Sequence, residues 1–511
     1  MVKIRKVIAL VLVAVMALTM FAGCGGESKE TGAADSSKAA DSSTAADTGA
    51  QQTDTPKEKV KLSFFLSQTG WGGEAVDPEL MAEVEKVIEE KTNTDLEVIA
   101  PPQSSYNDKL NVVLSSGQIP DIYAVRKAMD NIHVMASRGY TMPLDDLIKN
   151  TPEITSLVDQ KYLDYLKVDG KLQGIPMYVP LSKFIWLRKD VMDANGVKLS
   201  ETPTTDEFYN EMKKLVGKGV IPFTFAKFLD NLPFFFNPFG AYYGIGEKDG
   251  KYIDGFNTPE AKEALAYVAK LYKDKIWDQE FLTNENATIR ENLFSGKAAS
   301  TLDYYNRYIY FSTEAEKVKA PTEFVPVYEL KGPNGNGGNL YEAIQDALCI
   351  SAKSKVADRA LEVIKYYVFT EEGVKLRCLG VKDKHFTIEN NVITPAEKAK
   401  NSGYKCDVNQ FYLYYPQIKD FGFKWGDTVE KLIPQQIKYN EETNKHLGPK
   451  YSIPSNKSDL YNKNLSAYKK KIDEISSKII MGSATIEDGY KEYEAFWKSI
   501  NGDEMLAQLN K

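Results

Sequence analysis

Thirty Tyr and five Trp stand against three His in this 511-residue chain, and that balance bears on which chemistry the chain can do. His133, His385 and His446 fall in no HExxH pattern, and the chain has no GxSxG, GxxxxGK[ST], CxxC or EF-hand signature. No motif for a cofactor or a metal is present, so none is expected. A two-carboxylate hydrolase needs no such motif, and with 71 acidic residues a carbohydrate-active enzyme (hydrolase or lyase) stays open as an alternative. The aromatic residues point to contact with a ligand, because Tyr and Trp offer a flat apolar face together with a polar handle. Trp71 sits among Gly70, Gly72 and Gly73 in the stretch 67–74 (SQTGWGGE), just past a predicted strand. A Trp there reads either as a ligand contact or as a clamp on the following helix. Tyr341 and Glu342 lie in 335–346 (GNGGNLYEAIQD), where glycines allow close backbone approach to a ligand; a plain hairpin loop is the other reading. Arg126 follows a predicted strand, and Trp425 stands beside Phe421, Gly422 and Phe423; both are candidates for the same surface.

The elements that must carry these residues alternate. Residues 60–66 (VKLSFFL) read as a buried strand, and Asp77-Pro78 opens a helix in which Leu80, Val84 and Ile88 share one face. A strand at 95–100, a helix at 106–116 closed by Gly117, and a strand at 120–125 follow. Strand, helix, strand, helix, strand predicts a parallel sheet with right-handed crossovers. Further helices are expected at 205–217, 259–274 and 355–369, and short strands at 298–302 and 347–351. The stretch 232–239 (LPFFFNPF) is too apolar for a solvated loop. Near the end, Tyr461, Leu465, Tyr468, Ile472, Ile475 and Ile479 define one long amphipathic helix, and a last helix carries Ile486, Tyr490, Tyr493, Trp497 and Ile500.

Bulk properties narrow the class. With 43% hydrophobic and 26% charged residues, the chain is an ordinary globular one with enough length for two to four structural units, at about 100–200 residues each. A net charge of −7 and a single basic run, Lys469-Lys470-Lys471, exclude a nucleic-acid partner. Cys349, Cys378 and Cys406 show no metal-ligand spacing; buried free thiols are expected, with a Cys349–Cys378 bond as the alternative. The N-terminus is more informative. Lys3, Arg5 and Lys6 precede an apolar run at 7–21, and Phe21-Ala22-Gly23-Cys24 closes it. This is the layout of a secretory signal peptide, and the run falls short of the roughly 20 residues that a membrane span needs. Residues 25–56 hold no Val, Ile, Leu, Met or aromatic residue and predict a disordered linker.

Residues 21–24 resemble the lipobox of bacterial lipoproteins, with Phe21 where Leu is usual. That resemblance implies a signal peptide at 1–23 and a lipidated Cys24, carrying palmitate-type chains, at the head of the 24–56 linker. The folded part resembles the extracellular solute-binding proteins (family 1) of bacterial ABC sugar importers, in their larger Gram-positive lipoprotein form. The motifs that carry this are 106–121 (YNDKLNVVLSSGQIPD), 139–148 (GYTMPLDDLI), 169–176 (DGKLQGIP), 184–190 (FIWLRKD), 294–301 (FSGKAAST) and 370–374 (TEEGV), in that order. The resemblance implies an α/β, two-lobed periplasmic-binding-protein-like (type II) fold with hinge strands between the lobes and extra C-terminal helices. Lobe 1 would comprise 57–180 with 331–384, and lobe 2 would comprise 181–330 with 385–511. The crossings would fall near 179–187 and 325–330, with ligand in the cleft between. Tyr178 and Trp186 would bracket the first crossing, Trp186 having a core reading as well. Asp303, Tyr304 and Tyr305 would stand where the family carries cleft aromatics; a Tyr-rich helix start packed on its own lobe is the other reading. The implied partners are an oligosaccharide, the permease subunits of an ABC importer, and the membrane through the N-terminal lipid. The implied form is a monomeric, non-enzymatic receptor on the outer face of the cell membrane. A sensor lipoprotein without an import role is a further alternative.

Overall fold

The computed structural model describes residues 59–66, 78–102, 105–227, 229–342, 344–396, 422–423, 427–449 and 458–511. The chain divides into Met1–Pro56 and Lys57–Lys511, and every described element belongs to the second part. Cys24, the signal and linker segments, Trp71, Cys406 and Trp425 lie outside the described residues.

The alternation expected near the start is present: Val60–Phe65 (β1), Pro78–Thr92 (α1), Thr94–Ile99 (β2), Tyr106–Ser116 (α2) and Ile122–Arg126 (β3). Helix α1 buries Leu80, Val84, Ile88 and Thr92 along one face. Helix α2 stops at Gly117, whose φ of 78° lets its N–H reach back to the Leu114 carbonyl. The Pro-Asp pair that follows has a local reason. Asp121 accepts from the backbone and hydroxyl of Ser63, each at 2.9 Å, and from the Ser354 hydroxyl at 2.6 Å, so one carboxylate ties β3 to β1 and to a distant loop. Gln160–Asp164 (α3) and Ile175–Pro176 (β4) lead to the long strand Leu181–Arg188 (β5).

Thr205–Lys213 (α4) opens on a capping box between Thr204 and Glu207. Pro259–Lys273 (α5), Asn286–Phe294 (α6), Ser300–Tyr304 (β6), Tyr308–Lys317 (α7), Phe324–Val327 (β7), Leu340–Glu342 (β8) and Asp346–Ile350 (β9) follow. The first sheet runs β2–β1–β3–β9–β4. Its β1 pairs parallel with β2 and β3, while β9 pairs antiparallel with β3 and β4. The second sheet is built on β5. One edge of β5 pairs with β6; the other pairs with β7 along 185–188 and with β8 along 181–183.

The chain therefore leaves the first sheet after β4 and returns to it between Glu342 and Asp346. The return comes later than the expected 325–330, because β7 and β8 both stay on β5. Strand β6 also extends to Tyr304, past the expected end at 302. Asp303 is paired with Arg290 inside the lobe, and the strand continues through it.

Each sheet has its own core. The first packs Phe64, Phe65, Tyr106, Tyr123, Leu348 and Val363. The second is dense in aromatic rings: Trp277 lies 5.1, 4.5 and 4.9 Å from the rings of Phe223, Phe225 and Phe235. The apolar 232–239 stretch supplies Phe234, Phe235 and Phe236 to this core. Ala357–Phe369 (α8) and Glu371–Leu379 (α9) precede a small sheet of Phe386–Glu389 (β10), Val392–Pro395 (β11) and Gly422–Phe423 (β12). Asp427–Thr443 (α10), Asp459–Ile480 (α11), Ile486–Ser499 (α12) and Gly502–Leu509 (α13) close the chain. Their apolar faces join the second core through Tyr439, Ile472, Tyr493 and Met505. Polar stitches reinforce them: Tyr243 Oη donates to Asp473 at 2.8 Å, and Asn510 exchanges two hydrogen bonds of 2.8 Å with the Tyr252 backbone. Cys349 and Cys378 are both buried, and burial pushes the Cys349 thiol well above its ordinary range. Among the described residues no helix is long and apolar enough to cross a membrane.

Candidate functional site at the crossing between the lobes

The two crossings run side by side. The N–H of Met177, just after β4, donates to the carbonyl of Asp346 at the start of β9 (2.9 Å). Around that point the ends of both sheets deliver polar and aromatic side chains. Arg126 is the last residue of β3 and Asp346 the first of β9; they are register partners, and Arg126 Nε lies 3.8 Å from Asp346 Oδ2. Burial pushes the Asp346 carboxyl up to about 6, and Glu342 adds to that, while Arg126 and the Lys127 N–H oppose it. Tyr178 stands in the first crossing, close enough for Asp346, Arg377 and Arg126 to act on its phenol, which burial raises well above its ordinary range.

The second sheet answers with Lys183, near the start of β5, whose register partners are Tyr304 on β6 and Leu340 on β8. Lys183 Nζ lies 3.1 Å from Glu342 Oε1, donates to Asn231 Oδ1 at 2.9 Å, and sits 4.5 Å from the Tyr304 ring centre. The Tyr304 hydroxyl donates to the Glu342 carboxylate (3.3 and 3.4 Å to its two oxygens) and accepts from Gln345 Nε2 at 3.3 Å. Tyr341 on β8 donates to Tyr162 Oη of α3 at 2.8 Å, a bond between the second sheet and a helix of the first lobe.

Of the residues singled out in the sequence, Arg126, Tyr178, Tyr304, Tyr341 and Glu342 therefore gather at one place. Three others do not belong there. Trp186 is a core residue: it is fully buried, donates its Nε1–H to the Tyr304 carbonyl at 3.0 Å and packs on Phe184, Tyr308 and Tyr439. Alternate residues of β5 point to opposite faces, so Lys183 can reach the crossing while Trp186 points into the lobe. Asp303 serves as an internal anchor, accepting from Arg290 Nε at 2.6 Å and Nη2 at 3.1 Å, with Arg307 Nε at 3.8 Å. Burial raises its carboxyl, but the two guanidinium groups outweigh that and hold it below the ordinary range. Tyr305 is buried in the second core, and its carbonyl accepts from Gln436 Nε2 at 3.0 Å.

Lys183, Asn231, Gln345, Asp346 and Tyr162 were not singled out. One signal was available: Lys183 is a cation inside a strand that is apolar apart from Ser182 and the terminal Arg188 (LSKFIWLR), and a charge so placed calls for a partner. Asn231 and Tyr162 arrive only through tertiary contacts. The assembled group presents hydroxyls, an amide, an ammonium, a guanidinium and carboxylates beside half-buried rings. That is hydrogen-bonding capacity of both signs next to flat apolar faces. Among the described residues no group of three or more His, Cys, Asp or Glu could hold a metal ion.

Comparisons with known proteins fit this architecture. The chain matches the family model "Bacterial extracellular solute-binding protein" over residues 73–374, and it belongs to that family. It is 24% identical over 449 residues to Lipoprotein LipO of Bacillus subtilis (strain 168), covering 83% of this chain and 88% of LipO. It is also 24% identical over 452 residues to the polygalacturonan/rhamnogalacturonan-binding protein YtcQ of the same organism, covering 83% of this chain and 87% of YtcQ. Among solved structures, the alginate-binding protein AlgQ2 superposes with a TM-score of 0.67 at 16% identity, over 89% of this chain and 98% of AlgQ2. This likeness is one of fold, a two-lobed solute-binding architecture.

Proposed function

We propose that this protein is a lipid-anchored extracellular receptor that captures an oligosaccharide and delivers it to the permease subunits of an ABC importer. The observation that carries the reading is the gathering of Arg126, Tyr178, Tyr304, Tyr341, Glu342 and Lys183 where the chain passes between two sheets. Clefts at strand ends between α/β lobes are where ligands bind for general reasons. The half-buried tyrosines suit the C–H faces of sugar rings, and the paired polar groups suit their hydroxyls. Binding couples to lobe closure about the two crossings, because side chains from both lobes complete their contacts only when the lobes approach. The protein acts as a binder without turnover, as a monomer. It is held to the outer face of the membrane by acylated Cys24 through the 24–56 linker, which keeps captured solute near its importer. Names of relatives support this reading: polygalacturonan and rhamnogalacturonan binding for YtcQ, and lipoprotein for LipO.

Isothermal titration against a panel of oligosaccharides tests it. Binding of at least one glycan is expected, weakened about tenfold or more by Lys183→Ala or Tyr304→Ala. Binding of a peptide or metal chelate with no glycan bound would overturn the sugar assignment.

A further inference from the structure

Among the described residues, two buried acceptor atoms at the crossing have no hydrogen-bond partner, Gln345 Oε1 and Asp346 Oδ1. The geometry around them leaves little freedom. The Tyr304 hydroxyl gives its proton to Glu342, so only an N–H of Gln345 can approach that oxygen, and the amide is fixed with Oε1 turned away. Asp346 faces Arg126 through its other oxygen. A buried acceptor left unmet is destabilising, and native structures leave few of them.

Charge adds a second, independent observation. Each sheet brings one cation to the crossing already matched with a carboxylate of the same sheet: Arg126 with Asp346 at 3.8 Å on the first, Lys183 with Glu342 at 3.1 Å on the second. Among the described residues, Arg290 and Arg307 turn inward to Asp303, and Arg377, which also acts on the Tyr178 phenol, is buried 4.7 Å from the Tyr367 ring centre. A guest carboxylate would have to settle beside Glu342 and Asp346 or displace one of them, and like charges that close repel. A carboxylate also accepts only, and so cannot satisfy an acceptor, whereas a sugar hydroxyl can donate.

We propose, resting on the oligosaccharide reading above, that the cleft selects an uncharged glycan over one built of uronic acids, with glycan hydroxyls donating to Gln345 Oε1 and Asp346 Oδ1. The ligand would then differ in charge class from the polygalacturonan named for YtcQ. Both oxygens lie on the segment that joins the lobes, so lobe opening gives a ligand access to them.

The test is titration calorimetry of the mature chain at pH 7 with malto-, xylo-, manno- and galacto-tetraose, and with tetragalacturonate and tetramannuronate. At least one neutral tetrasaccharide should bind about tenfold or more tightly than either uronate. Gln345→Met, which keeps the side chain's length but removes the acceptor together with the N–H given to Tyr304, should weaken that neutral ligand about tenfold. Glu342→Gln, which leaves Lys183 unmatched, should narrow the gap between neutral and acidic ligands; circular dichroism confirms that both variants fold. A uronate binding more tightly than every neutral glycan would overturn the charge selection and leave the sugar reading standing. An unchanged affinity in folded Gln345→Met would overturn the acceptor role. Binding of no glycan by the folded wild type would overturn the sugar reading itself, and this inference with it.

Discussion

Asp303 and Tyr304 are neighbours in sequence with opposite fates, and the alternation of a strand is the cause. Asp303 points into its lobe toward Arg290 and Arg307, whereas Tyr304 points to the crossing. Breaking a buried ion pair from one side strands the other charge, which costs about 3 kcal/mol. Asp303→Asn should therefore lower the denaturant midpoint strongly while the folded fraction keeps its ligand affinity. Loss of affinity at unchanged stability would instead put Asp303 in the binding site. A pH effect belongs to this scale too. Asp254 accepts from Tyr493 Oη at 2.7 Å, yet burial pushes its carboxyl up to about 6 from an ordinary 3.8. A carboxyl with a raised folded value holds its proton more tightly in the folded state. Its contribution to stability is thus fully present below about pH 4 and is lost as pH rises through 6. Asp254→Asn cannot ionise, so its stability relative to wild type should climb between pH 4 and pH 7 and then level off, as urea unfolding at several pH values would show.

At the scale of elements, β5 organises the second lobe because it carries β6 on one edge and both β7 and β8 on the other. Helix α10 locks onto the segment that feeds β8. Asn339 Nδ2 donates to the Thr443 carbonyl at 3.0 Å, the Asn339 N–H donates to the His446 carbonyl at 2.7 Å, and Ser182 Oγ meets Thr443 Oγ1 at 2.8 Å. The backbones come so close that a Cβ on Gly448 would stand 2.1 Å from the Asn339 carbonyl oxygen. Gly448→Ala should cost about 1–3 kcal/mol through overpacking, read as a lower melting temperature. Because β8 ends in Tyr341 and Glu342, a smaller loss of ligand affinity should accompany it. A variant as stable as wild type would mean that this close approach relaxes freely.

At the scale of the molecule, the proposed division of labour is an anchor at Cys24, a tether over 24–56 and a two-lobed receptor from Lys57 onward. Replacing Cys24 with Ala should move the protein from the membrane fraction to the medium of a Gram-positive host and reduce uptake of its ligand, with affinity in solution unchanged. Retention at the membrane would point to a different anchor.

Local sequence determined the elements, because helix faces, Pro starts and Gly stops are written over a few residues. The spacing of Leu80, Val84 and Ile88 and the stop at Gly117 correspond to α1 and α2 as built. Sequence also determined the two-lobe expectation, through the order of motifs from residue 106 to residue 374. The site was legible in part: Tyr304, Tyr341, Glu342, Arg126 and Tyr178 carry types suited to a glycan and stand near strand ends. Tertiary structure decided the rest. Which face of β5 meets the crossing, and hence that Lys183 serves there while Trp186 is core, follows from pairing between strands more than 100 residues apart. The place where the chain returns to the first sheet, and the meeting of Asn231, Gln345 and Tyr162 with residues from other segments, depend on the same long-range packing. The physical reason is that periodicity along a chain reports which residues share a face, whereas the partner of that face is chosen by contacts that close only when the lobes assemble.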